Sequence, residues 1–168
     1  MSWSQAEIMA LAGKAARGAG APPGQAAQFG KAAAVHLARG RSATELEHAL
    51  SALPTGPIMS CAVEIERILM MAAGTDEISV GIDPQTPLGL LESYLDALPF
   101  DVGITEVAPN SLRLTRGDAS SKTQRPPERI SGCDSLIAQM TDLAAKTFVP
   151  ESDASRRAGA GAGLSDND

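Results

Sequence analysis

Lys14 and Arg17 stand one helical turn apart near the start of the chain, and Arg156 and Arg157 stand side by side near its end. Three Ala-Gly pairs follow the two arginines, then Leu164, then Asp166, Asn167 and Asp168. Ammonium and guanidinium groups bind carboxylates and phosphates through charge-assisted hydrogen bonds. Glycine-rich turns cradle phosphate only between a strand and a helix, where helical N–H groups point at the anion. No strand pattern precedes these glycines and no helix pattern follows them, which argues against a nucleotide fingerprint.

Two readings of the tail remain. One is a solvated terminus. The other is a docked segment: its Ala-Gly backbone lies close against a second surface, Arg156 and Arg157 hold acidic groups, and Leu164 is a small apolar anchor. Asp166, Asn167 and Asp168 then act as polar groups or as hard-cation ligands. Three consecutive residues seldom complete a metal shell, so neither a metal nor another cofactor is expected. In this reading a site for an anion or a partner lies where the N-terminal helices meet the tail. It is formed by Lys14, Arg17, Arg156, Arg157, Leu164, Asp166, Asn167 and Asp168.

Other reactive side chains point to structure. His36 falls on the apolar stripe of its helix and His48 lies on a different helix, so satisfied or helix-end histidines are expected. Cys61 and Cys133 lack a nucleophile signature and CxxC spacing, and are expected to be small core hydrophobes. Glu64 and Glu66 are two residues apart and splay on a helix, which disfavours paired acid–base work.

Charge limits the partners. The chain has 168 residues and a net charge of -6, but the charge is segregated. Residues 1–41 carry five basic groups against Glu7 alone, and residues 42–110 carry eleven acidic groups against Arg67 alone. An acidic chain with 3% aromatic residues is a poor nucleic-acid binder. The connector between the first two helices is too long for a helix-turn-helix. No apolar run is long enough to span a membrane, and the first residues carry no secretory pattern. A soluble, cytoplasmic protein with reduced thiols is expected.

The elements that must position these groups follow from pattern. Ser4 and Glu7 form a capping box, with Trp3 and Ile8 placed as a hydrophobic staple, and Gly18 stops that first helix. Pro22 and Pro23 break the chain before a second helix over Gln25 to Arg39, whose buried stripe is Ala26, Phe29, Ala33, His36 and Leu37. A third helix starts at a second capping box, Ser42 and Glu45, and stops before Pro54. "SCAVEIERILMMAAG" is long enough to be a helix despite its β-branched residues. "EISVGID" alternates as a strand, and "TPLGLLESYLDALP" is a helix with Thr86 as cap and Pro87 in its first turn. "FDVGITEV" and "NSLRLTR" form a hairpin about Pro109-Asn110 that buries Leu112 and Leu114. Residues 117–132 are polar and turn-rich and are expected to be a mobile loop. A last helix covers Cys133 to Thr147.

The class is therefore α+β: a helical N-terminal layer, a small sheet with a hairpin, later helices and a Gly-rich tail. A single globular domain is expected over 1–149, with residues 150–168 as the tail.

Together, "AEIMALAGKAARGAG" and "SDASRRAGAGAGLSDND" are similar to the two ends of a family of small soluble proteins, found mainly in proteobacteria, whose domain has no known function. The likeness spans the two ends of the chain. It implies that the tail is part of the protein's design, and it brings no activity, substrate or catalytic residue. The expected function is that of a cytoplasmic accessory or interaction protein, serving a metabolic enzyme and leaning away from catalysis. The alternative is a small enzyme or a protein that binds an anion or metabolite where the two ends meet.

Overall fold

A computed structural model describes residues 1–117 and 129–147. The described chain is α+β. Its elements are β1 (Ser2–Trp3), α1 (Gln5–Gly18), α2 (Pro23–Ala38), α3 (Ala43–Ser51), α4 (Pro57–Ala72), β2 (Glu77–Gly81), α5 (Leu88–Asp96), β3 (Val102–Ala108), β4 (Ser111–Arg116), β5 (Ile130–Ser131) and α6 (Asp134–Ala145).

The first capping box forms as the sequence implies. Ser4 Oγ accepts from the Glu7 amide at 3.2 Å, and Glu7 Oε2 accepts from the Ser4 amide at 2.7 Å. Those bonds to Ser4 favour the ionised form and hold the Glu7 carboxyl below its usual range. The second box does not form. Ser42 caps α3 without a side-chain hydrogen bond, and its carbonyl accepts from His36. Thr86 is likewise no cap: its amide bonds the Asp83 carbonyl in a turn, and Pro87 takes the cap position of α5.

Helices α1 and α2 pack together through small residues. Both bury alanines, and an added Cβ on Gly30 would stand 2.6 Å from the Met9 carbonyl, so only glycine allows that approach. The far side of α1 carries α6. These two run in the same direction. Ser2 pairs with Ser131 where both helices start, and Gly18 sits against the Leu143 carbonyl where both end. The β1–β5 pairing was hidden in the sequence. Ile130–Ser131 falls within the stretch expected as a mobile loop, whose residues 118–128 lie outside the described residues.

Helices α4 and α5 pack behind α2. The predicted stripe of α2 is buried throughout. The sheet is antiparallel in the order β2-β4-β3. Its register aligns Ile78, Leu114 and Ile104 on one face, with Val80 beside Leu112, and Leu112 and Leu114 are buried as expected. Asn110 turns the hairpin with φ 58°. One continuous apolar cluster links all these layers.

Candidate functional site

An apolar opening lies where α4 ends. Leu69, Ala72 and Ala73 form one wall, and the turn from Gly74 to Glu77 forms the next. Ile78, Leu114 and Val102 supply the sheet side, and Leu95 and Phe100 close the cleft. Its volume is about 240 Å³. A dry cavity of roughly 150 Å³ already accepts a benzene ring, so this one takes a large apolar side chain or a group of that size.

Every charged residue on the cleft wall is acidic. Asp76 is exposed at the rim, Glu77 forms a surface pair with Arg113 at 3.3 Å, and Asp101 is buried in the wall. Among the described residues no Lys, Arg or His lines it. Low-dielectric walls with charges of one sign focus the field and attract the opposite charge. The arrangement suits an apolar group that carries a cation beside it.

A second polar assembly is closed to solvent. His36 and Ser93 are both fully buried between α2 and α5. His36 Nε2 lies 2.9 Å from the Ser42 carbonyl, which only accepts, so that nitrogen carries the hydrogen. His36 Nδ1 lies 2.9 Å from Ser93 Oγ. Arg41 donates to the same oxygen at 2.9 Å and to Asp96 at 2.8 Å, and Ser93 also reaches the Gly89 carbonyl at 2.8 Å. Burial pushes the His36 pKa down, the dominant effect, against the pull of its Ser42 contact. A serine beside a neutral imidazole has the parts of an activated nucleophile. Here no acyl group can reach the hydroxyl, so the pair fastens helices and leaves chemistry aside.

Both thiols behave as core groups. Burial pushes the Cys61 thiol up to about 12 and raises Cys133 as well. Glu64 and Glu66 part as expected: Glu64 pairs with Arg67, while Glu66 points to solvent. Among the described residues no group of three His, Cys, Asp or Glu side chains is placed to hold a metal, and no helix is long and apolar enough to cross a membrane.

No family model, curated protein or solved structure matches this chain. The site must be judged on its own geometry.

Of the residues singled out in sequence, Lys14 and Arg17 are exposed on the last turns of α1. Arg156, Arg157, Leu164, Asp166, Asn167 and Asp168 lie outside the described residues. What the fold does bring together is the last turn of α6 and the "KAARGAG" motif, because Leu143 and Lys146 lie against Gly18. The cleft escaped sequence reasoning because five elements contribute to it. One signal was available: "ILMMAAG" is apolar around the whole helix, more than a single buried face requires.

Proposed function

We propose that the protein is a non-catalytic interaction protein, and that the cleft at the end of α4 receives an apolar side chain of a protein partner flanked by Lys or Arg. One observation carries the reading: around an apolar cleft of about 240 Å³, every charged side chain among the described lining residues is acidic. The segregated charge agrees with it, since the acidic stretch 42–110 supplies three of its carboxylates. A cytoplasmic setting fits two buried, unbridged cysteines, and service to a metabolic enzyme is the kind of accessory role meant.

The experiment uses labelled short peptides with a central Phe or Leu flanked by Arg, and matched peptides flanked by Glu, read by fluorescence anisotropy. Arg-flanked peptides should bind, more weakly as salt rises. Ala73→Trp, which fills an exposed part of the cleft, should abolish that binding and leave the fold intact. Equal binding of both peptide sets, or binding unchanged in Ala73→Trp, sinks the reading.

A second reading rests on a different place. Helix α6 ends against Gly18, in the last turn of the helix that carries Lys14 and Arg17. An anion or metabolite held there by the two ends would raise the melting midpoint in a thermal-shift screen, and Lys14→Ala with Arg17→Ala would remove the rise.

A further inference from the structure

The two outer strands of the sheet differ. β2 and β3 each pair with β4 alone. The outer side of β2 is engaged by α4, whose Arg67 donates to the Gly81 carbonyl at 2.8 Å. The outer side of β3 receives no such bond from a described residue. The Gly117 amide bonds the Asp101 carbonyl at 3.1 Å, so the backbone groups of Asp101, and by alternation those of Gly103 and Thr105, face β4. The N–H and C=O groups of Val102, Ile104 and Glu106 therefore turn outward, and no described residue bonds them. Natural edges are blunted with Lys, Pro or a bulge. β3 carries neither Lys nor Pro, and its bulge lies beyond Glu106.

We propose that the protein partner adds an antiparallel strand to this edge of β3, with the pattern cation, any residue, apolar, any residue, apolar. The proposal rests on the cleft reading and specifies how the partner lies. Directly opposite residues on paired strands point to the same face and interact. A cation opposite Glu106, which is exposed, gains a cross-strand ion pair. An apolar residue opposite Ile104, which is half-buried, extends the apolar face. An apolar residue opposite Val102 lies beside the cleft, because Val102 is part of the cleft wall. Phe100 and Asp101 continue that wall past the start of β3, so a further cation at the end of the pattern meets the acidic side of the cleft. Main-chain bonds supply affinity in such a complex, and the alternate side chains supply selection.

The probe is a labelled peptide, Arg-Thr-Leu-Thr-Phe-Arg, read by fluorescence anisotropy on the full chain. N-methylation at its Leu or Phe removes an amide that faces β3 and should weaken binding by about tenfold. N-methylation at either threonine, whose amides face away, should leave binding unchanged. Glu106→Lys should weaken binding about two- to fivefold, and a peptide with Glu in the first place should recover that loss. Equal loss from both methylation sets, or loss from neither, overturns strand addition. If Ala73→Trp still abolishes binding in that case, the cleft reading stands without it. Failure of this peptide where other Arg-flanked peptides bind also overturns the strand alone, whereas failure of every Arg-flanked peptide overturns both. A free chain that dimerises in sedimentation velocity, and that the peptide dissociates, assigns the edge to a second copy and overturns the proposal.

Discussion

His36 Nδ1 lies 2.9 Å from Ser93 Oγ, across 57 residues of sequence, with both side chains sealed from water. The contact ties α2 to α5, and Arg41 extends the tie to Asp96 and, at 3.3 Å, to Glu92. Removing Ser93 leaves His36 Nδ1 without this partner, whereas Ser93 without His36 keeps Arg41 and the Gly89 carbonyl. Ser93→Ala should cost about 1–3 kcal/mol, because the hydroxyl it deletes serves an imidazole and a guanidinium that stay buried or half-buried. Urea unfolding of the variant checks this, and a loss within error of zero would mean that water replaces the hydroxyl.

The same imidazole makes stability depend on pH. Its folded pKa is lowered from 6.5 by burial, so the unfolded chain binds a proton that the native chain refuses. Stability is fully present above about 6.5 and falls as pH drops through that value, by up to about 1.4 kcal/mol per pH unit until the folded pKa is passed. Unfolding free energies at pH 7.5 and 5.5 should show the fall. His36→Gln should be less stable at both and flatter between them.

Two glycines of α2 should respond in opposite directions. Gly24 has nothing within 4 Å of an added Cβ, so Gly24→Ala should stabilise by about 0.5 kcal/mol. Gly30 faces the Met9 carbonyl at 2.6 Å, so Gly30→Ala should destabilise by about 1–3 kcal/mol through forced separation of α1 and α2. Melting curves of the two variants, run side by side, give the signs directly.

The two serines read from sequence as caps should also separate. Ser4→Ala removes a formed cap bond and should cost about 1 kcal/mol. Ser42→Ala removes a hydroxyl that caps nothing, while the carbonyl used by His36 remains, and should stay within about 0.5 kcal/mol. Denaturant midpoints decide.

Thiol chemistry offers a further check. With Cys61 and Cys133 both buried and their thiols pushed up, neither should react with a disulfide reagent at pH 8 in the native protein. Both should react at once in guanidinium. Rapid native reaction at either would place that thiol nearer the surface than its burial implies.

Much of this fold was legible because it rests on local rules. The apolar period of α2 named Ala26, Phe29, Ala33, His36 and Leu37, and all five are buried. Alternation marked the hairpin strands, and the Ser4–Glu7 spacing marked the start of α1. Most of what escaped depends on distant partners. The Ser42–Glu45 spacing promised a box, but the Ser42 side chain makes no cap bond, and nothing in the structure explains why. β1 and β5 are two residues each and acquire strand geometry only from each other. Ser93 looked like an ordinary polar residue among leucines, since its partners His36 and Arg41 lie before α3 and α4 in the sequence. The cleft shares this origin: its acids Asp76 and Asp101 belong to separate connections and meet only through the sheet.

The contact of Gly18 with Leu143 sets a clock for the growing chain on the ribosome. α1 and α2 can close on each other as soon as both are made, yet the side of α1 that receives α6 stays bare until residue 145 has been added. At translation rates of about 5–20 residues per second, that is a wait of roughly 5–20 seconds. During it the newborn helix pair exposes an alanine-rich face to whatever chaperone or neighbour arrives first.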